Sequence, residues 1–196
     1  MAMTDSEFEQ LKTFFSLLEI EGESKRLFRD LWEVKSFRQY DLLTEAGTTE
    51  NYFYFVLEGV QAVYVLNEKG EKVVLGFSYT GSPSGVFDSF STRKPSTLFL
   101  EALKPTRVLG ITYTDYQNVF QQFSGAHEWG HVFFKNVLLG RLSREIELLT
   151  LDTRERYLAF MLRCPEELKV IPQKYLASYL NMKPETFSRL RAAINL

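Results

Sequence analysis

Between Glu33 and Thr112 the sequence breaks into six short runs rich in β-branched and aromatic residues. They read VKSFRQY, NYFYFVLEG, VQAVYVLN, EKVVLGFSY, STLFLEAL and TRVLGIT. Gly47, Gly59, the stretch Asn67 to Gly70, Gly81 and Gly85 punctuate them. Runs this short alternate their side chains between two faces and end where the backbone can reverse. Turn signals every 8–12 residues or so leave no length for crossover helices, so a barrel or jelly roll is expected rather than βαβ units. The clearest reversal is NEKG, where Lys69 and Gly70 occupy the polar and positive-φ positions of a tight hairpin turn.

On both sides of this block the period becomes helical. Residues 4–31 place Phe8, Leu11, Phe15 and Leu18 on one face, and Gly22 divides two short helices. From Asp115 a short helix, DYQNVFQQF, bends near Ser124 and Gly125, and a long one runs from His127 to Leu149. Two apolar tracks follow the long helix: Ala126, Gly130, Phe133, Val137, Gly140 and Trp129, Val132, Leu139, Ile146. A helix that is apolar on two sides must bury both. One side can cover the barrel, and the other calls for the same helix of a second subunit. Gly130 and Gly140 each cost a helix about 1 kcal/mol, which the close approach of another backbone would justify. Trp129, Gly130, Phe133, Val137 and Gly140 are therefore the expected dimer residues.

A new unit begins at Asp152, an N-cap for TRERYLAFMLRC, and Pro165 stops that helix. An extended piece, LKVI, precedes a helix opened by Pro172 with Tyr175, Leu176, Tyr179 and Leu180 on its inner face. Asn181 can take the left-handed conformation that ends it, and Pro184 opens the last helix, with Phe187, Leu190 and Ile194 turned inward. Two helices locked at a steep angle, with the small Ala177 at the crossing, form a helix-turn-helix. Lys183, Glu185, Thr186, Ser188, Arg189 and Arg191 are left on the outside. Glu185 can accept from a cytosine amino group, and Arg189, one turn on, can give a bidentate pair to guanine. Thr186 and Ser188 suit phosphate or base edges, while Gln173, Lys174 and Ser178 are expected at the DNA backbone. Charge agrees in sign: residues 151–196 carry a net +3 and the rest −5, within a total of −2.

The remaining composition mainly excludes. One cysteine, Cys164, permits neither an intrachain disulfide nor a cysteine metal cluster. Both histidines, His127 and His131, lie outside the barrel segment, so a cupin-type metalloenzyme lacks its ligands and no catalytic or metal site is expected. No apolar run is long enough for a bilayer, and the acidic opening MAMTDSEFEQ favours a cytoplasmic protein.

Over nearly its whole length the chain resembles the cyclic AMP receptor protein and FNR-type regulators. The likeness rests on LLTEAGTTENYFYFVLEGVQAVYVLNEKGEK with its turn at Gly59, on the long connecting helix, and on IPQKYLASYLNMKPETFSRLR. It implies a cyclic-nucleotide-binding-like barrel, a parallel helix dimer and a DNA-reading segment in which Glu185 and Arg189 are the base-contacting pair. Pro184 stands where some members carry an arginine, which implies a different DNA site. The sensory region FSYTGSPSGVFDSFSTRKPSTLFLEA departs further. Val86 follows Gly85 where nucleotide binders have glutamate, and Pro95 replaces the phosphate-holding arginine before Ser96, leaving Arg93 and Lys94 nearby. A cyclic phosphate without its bidentate arginine loses much of its pairing, so a cyclic nucleotide is not the expected ligand. The expected effector cleft comprises Tyr79, Ser84, Gly85, Arg93, Ser96 and Thr97.

The expectation is thus an α+β protein with three parts. Residues 1–126 form a jelly-roll, cyclic-nucleotide-binding-like domain, 127–150 a dimerisation helix, and 151–196 a winged-helix-like helix-turn-helix domain. The expected function is a homodimeric, sequence-specific transcriptional regulator without cofactor, whose partners are double-stranded DNA, an unidentified small molecule and RNA polymerase. The alternative is an interaction module of the same fold that does not bind DNA.

Overall fold

The computed structural model describes residues 3–164, 166–169 and 171–194, with the side chains of Glu167 and Ile194 excepted. The chain opens with helices α1 (Asp5–Phe14) and α2 (Glu23–Asp30), separated at Gly22, whose φ is +56°. Thr4 and Glu7 close a reciprocal capping box at the start of α1. Then follow strands β1 (Trp32–Phe37), β2 (Leu42–Thr44), β3 (Tyr52–Glu58), β4 (Val60–Leu66), β5 (Lys72–Tyr79) and β6 (Pro83–Ser84). A short helix α3 (Phe87–Thr92) interrupts them before β7 (Phe99–Ala102) and β8 (Thr106–Thr112). The strands pair antiparallel in two four-stranded sheets, β1-β8-β3-β6 and β2-β7-β4-β5, the double-sheet jelly roll that the turn spacing predicts. Gly70 turns the β4–β5 hairpin at φ +76°.

Helices α4 (Tyr113–Gln122) and α5 (Ala126–Thr150) follow, joined at Gly125, which is left-handed and lies so close to the Leu17 carbonyl that no Cβ fits. The terminal part, all helical among the described residues, comprises α6 (Thr153–Arg163), α7 (Glu166–Lys169), α8 (Gln173–Tyr179) and α9 (Pro184–Ile194). Asp152 caps α6 in a second capping box, with Glu155. Asn181 is left-handed at φ +52°, as a helix ending there requires. The extended piece expected over 168–171 is corrected: Leu168 and Lys169 belong to α7. The helix stop assigned to Pro165 lies outside the described residues, as do Val170 and the inward turn assigned to Ile194.

Strands β3 and β4 read as almost unbroken apolar runs because both of their faces are covered. From β3, Phe53, Phe55 and Leu57 join α1, α2, α4 and the start of α5 in one aromatic core, while Tyr54 and Val56 point between the sheets. From β4, Val60, Ala62 and Tyr64 meet Tyr157, Phe160, Tyr175, Leu176 and Ala177 of the terminal helices. The terminal helices therefore pack on the outer face of the second sheet. Opposite β4, strand β5 carries one extra residue, Leu75, between the pairs Val63–Gly76 and Tyr64–Val74. Among the described residues no helix is long and apolar enough to cross a membrane.

Candidate functional sites

The segment after β6 shows why the expected effector cleft divides. Gly85 adopts φ +130° and lets Val86 turn inward, where it is buried between the sheets instead of presenting a carboxylate. Behind it sits the buried Glu50. Its carboxylate accepts from the Thr44 hydroxyl and from the backbone N–H of Tyr52 (3.1 Å) and Val86 (3.4 Å). Burial nevertheless holds this carboxyl above the usual carboxylate range. The Ser89 hydroxyl accepts from the Glu50 N–H at 3.0 Å and donates to the Lys94 carbonyl at 2.6 Å, which fixes α3 on this hub.

Arg93 caps α3 in the left-handed conformation and turns away from the barrel interior. Its guanidinium donates to the Glu50 carbonyl (2.6 Å) and the Asn51 side chain (2.8 Å), and lies 4.8 Å from the centre of the Tyr113 ring. Ser96 is buried with its hydroxyl closed onto Leu98: it donates to the carbonyl at 2.9 Å and accepts from the N–H at 2.8 Å. Thr97 is exposed. These three residues stand apart from the barrel cavity.

That cavity, of about 300 Å³, lies between the barrel and α5 and is lined by the other three expected residues, Tyr79, Ser84 and Gly85. Tyr52, Phe53, Phe87, Phe90, Phe133 and Phe134 also stand in the wall, with Phe87 and Phe134 4.8 Å apart at ring centres. Ser78, Ser82 and Arg141 add polar atoms. The Ser84 hydroxyl donates to the Gln61 side-chain oxygen, and the Gln61 amide nitrogen is buried without a hydrogen-bond partner among the described residues. Arg141 donates through Nη1 to the carbonyl of Leu75, the extra residue of β5, at 2.7 Å. Sequence reasoning missed α5 as a wall of this cavity. The signal was present in the helical spacing of Phe133, Phe134, Val137 and Arg141, which share one face.

On α5 the expected dimer residues fall on two environments. Trp129 is buried in its own protomer, stacked on Phe15 (4.3 Å) and Phe133 (5.0 Å), with its indole N–H donating to the Phe14 carbonyl at 3.0 Å. Gly130 lies under Phe120, whose ring would be 2.9 Å from a Cβ, so a side chain rather than a second backbone makes the close approach. Phe133 packs on the same core. Val137 is exposed beside the cavity, and nothing lies within 4 Å of a Cβ at Gly140. The bare apolar stripe is Val132, Leu139, Leu142, Ile146 and Leu149, the last 79% exposed.

In the terminal part, Tyr157 and Phe187 meet edge to face at 5.3 Å and tie α9 to α6, while Met182 N–H donates to the Ala177 carbonyl at 3.0 Å across the turn. Lys183, Glu185, Ser188, Arg189 and Arg191 are exposed, and Thr186 is half-buried. Glu185 and Arg189 stand one turn apart on the same outer face. Gln173 is half-buried and Lys174 exposed. Ser178, expected at a DNA phosphate, is turned to the barrel instead. Its hydroxyl accepts from Val74 N–H at 3.0 Å and donates to the Lys72 carbonyl at 2.8 Å. Next to it the Tyr175 hydroxyl donates to Glu101 at 3.2 Å, and Lys72 pairs with the same carboxylate at 2.5 Å. Arg144 of α5 donates to the Tyr179 carbonyl at 2.9 Å and lies 4.4 Å from that ring's centre.

Residues 34–123 match the family model of the cyclic nucleotide-binding domain. No curated protein matches the chain. Among solved structures, FixK2 from Bradyrhizobium japonicum superposes with a TM-score of 0.74 at 18% identity, covering 84% of each chain. The c-di-GMP responsive global regulator CLP of Xanthomonas campestris gives 0.64 at 17% identity, over 87% of this chain and 90% of its own. A protein of Eubacterium rectale described as a transcriptional regulator of the crp/fnr family gives 0.66 at 15% identity, over 90% of this chain and 84% of its own. The match to the cyclic nucleotide-binding domain over residues 34–123 and the fold of these solved structures both agree with the resemblance.

Proposed function

We propose that this chain, which carries a cyclic nucleotide-binding domain within the fold of the crp/fnr regulators, is a homodimeric, sequence-specific DNA-binding transcriptional regulator. The observation that carries the reading is α9, whose inner face is locked through Phe187 while Glu185, Ser188 and Arg189 remain exposed on its outside. A short helix held from behind with an acceptor and a guanidinium one turn apart is suited to reading base edges in the major groove. Dimerisation is supported by the bare stripe on α5. Val132, Leu139, Leu142, Ile146 and Leu149 repeat at coiled-coil spacing, so a parallel pair of these helices would bury them together. The three-part division at 126 and 150 is part of the same reading, with α5 joining the barrel to the terminal helices, and the barrel cavity is its effector pocket.

A second reading, an interaction module of the same fold without DNA binding, draws on Ser178, which is engaged by the barrel. One experiment separates the two. DNA selected from a random pool by the purified protein should converge on a palindrome with half-sites about one helical turn apart. Arg189→Ala should weaken binding to that site by about 1–3 kcal/mol. A pool that does not converge, or an Arg189→Ala variant that binds like the parent, would sink the DNA-reading proposal.

A further inference from the structure

We propose that the barrel cavity takes a small aromatic monoanion, its ring held among the phenylalanines and its charge met by Arg141. This deepens the effector-pocket part of the proposed function and rests on it. Three observations converge on that ligand class.

First, the wall favours a flat, apolar body. Tyr52, Phe87, Phe90, Phe133 and Phe134 line a cavity of about 300 Å³. Aromatic rings prefer edge-to-face and offset-stacked neighbours, and the Phe133–Phe134 and Phe87–Phe134 pairs are 5.0 Å and 4.8 Å apart at angles of 66° and 49°. Phe87 and Phe134 are each 36% exposed, so their rings can still gain contact from a guest.

Second, the charge in the wall has one sign. Among the described residues that line the cavity, Arg141 is the only charged one and none is a carboxylate. Arg141 donates through Nη1 to the neutral Leu75 carbonyl, which leaves the Nη2 edge of the fork for a carboxylate or sulfonate. A neutral guest would gain no charge-assisted bond from that cation, and a cationic guest would be repelled.

Third, the groups a sugar phosphate would need are absent or engaged elsewhere. Val86 fills the carboxylate position with a buried apolar side chain, and Arg93 is held by Glu50, Asn51 and Tyr113. Ser96 is closed onto Leu98, and Ser84 onto Gln61. A cyclic nucleotide would bring several hydroxyls and a phosphate into a wall that can answer few of them.

The test is calorimetric titration of the full chain with three probes: 2-naphthylacetate, its neutral amide 2-naphthylacetamide, and cyclic AMP. The acid should bind at least about tenfold more tightly than the amide, as loss of a charge-assisted pair requires. Arg141→Gln should bring the two within about twofold by weakening the acid alone. Phe134→Ala should weaken both, and cyclic AMP should not compete. Equal binding of acid and amide, no binding of either, or displacement of the acid by cyclic AMP would each overturn the inference. Binding to the selected palindrome is measured on the same samples. Specific DNA binding without arene binding removes only the ligand assignment, whereas arene binding without specific DNA binding removes the regulator and keeps the cavity.

Discussion

The two halves of α5 carry the same kind of side chain and meet opposite fates. From Ala126 to Phe133 the helix is part of the protomer's own aromatic core, wedged between α1, α4 and the first sheet. From Leu138 onward most of its apolar residues stand in solvent, Leu138 at 68% and Leu142 at 49% exposure, while Arg141 and Arg144 bind back to the barrel and α8 and Glu147 pairs with Arg163 of α6. Apolar periodicity states how many faces must be covered, not by whom. Trp129 and Leu139 lie on one track in the sequence, yet the first is an intramolecular residue and the second has no neighbour to bury it.

The largest effect is expected at Trp129. Trp129→Ala removes the ring stacked between Phe15 and Phe133 and should lower unfolding free energy by about 3–5 kcal/mol in denaturant titrations. A loss under about 1 kcal/mol would show that the first half is not core. The second half is tested by Leu142→Asp, which should raise the dimer dissociation constant about 100-fold, or about 2.8 kcal/mol, by sedimentation equilibrium. Its monomer should melt within about 0.5 kcal/mol of the parent. Retention of the dimer would move the seam to the stripe through Val137 and Gly140.

Arg144→Ala addresses one of the places where the exposed half grips its own protomer, beside Arg141 on Leu75 and Glu147 with Arg163. Losing a charged donor to the Tyr179 carbonyl should weaken the packing of α8 on β5 by about 1.5–3 kcal/mol, read as faster hydrogen exchange at Val74 N–H, which Ser178 holds. Unchanged exchange would mean that Arg144 does not fasten the terminal helices. The smallest effect is at the glycines. Gly140→Ala meets open space and should stabilise the isolated protomer by about 0.5–1 kcal/mol, while Gly130→Ala must displace the Phe120 ring and should not. Equal responses at the two positions would erase the distinction between the halves.

The long elements were legible because their periods were. The six strand runs, the break at Gly22, the caps at Asp152 and Asn181 and the extent of α5 all follow from local chemistry. Strands β2 and β6 and helix α3 were not, because segments of three, two and six residues hold their shape through distant partners, chiefly Glu50 with Thr44, Val86 and Ser89. Helix α7 took the place of the extended piece over Leu168 and Lys169, neither of which is β-branched. At the site, Tyr79, Ser84 and Gly85 could be placed by their nearness to a strand end. Arg93 could not, since a left-handed residue at the end of α3 sends its side chain outward. Arg141 was hidden for another reason: a residue far along the chain reaches the cavity only after α5 has packed on the barrel.

The extra residue in β5 makes the cavity and the terminal helices share one strand. Gly76 and Phe77 line the cavity, Leu75 gives its carbonyl to Arg141, and Val74 is fastened to Ser178 and Arg144. Three consecutive links therefore separate an anion at Arg141 from the seat of α8. An anion at Nη2 that shifted how Arg141 holds Leu75 would alter the free energy of that seat, and release of α8 to DNA would alter the affinity for the anion by the same factor. Affinity for the ligand and affinity for the operator would then be one coupling energy measured from two ends, with the Leu75 bulge as its fulcrum.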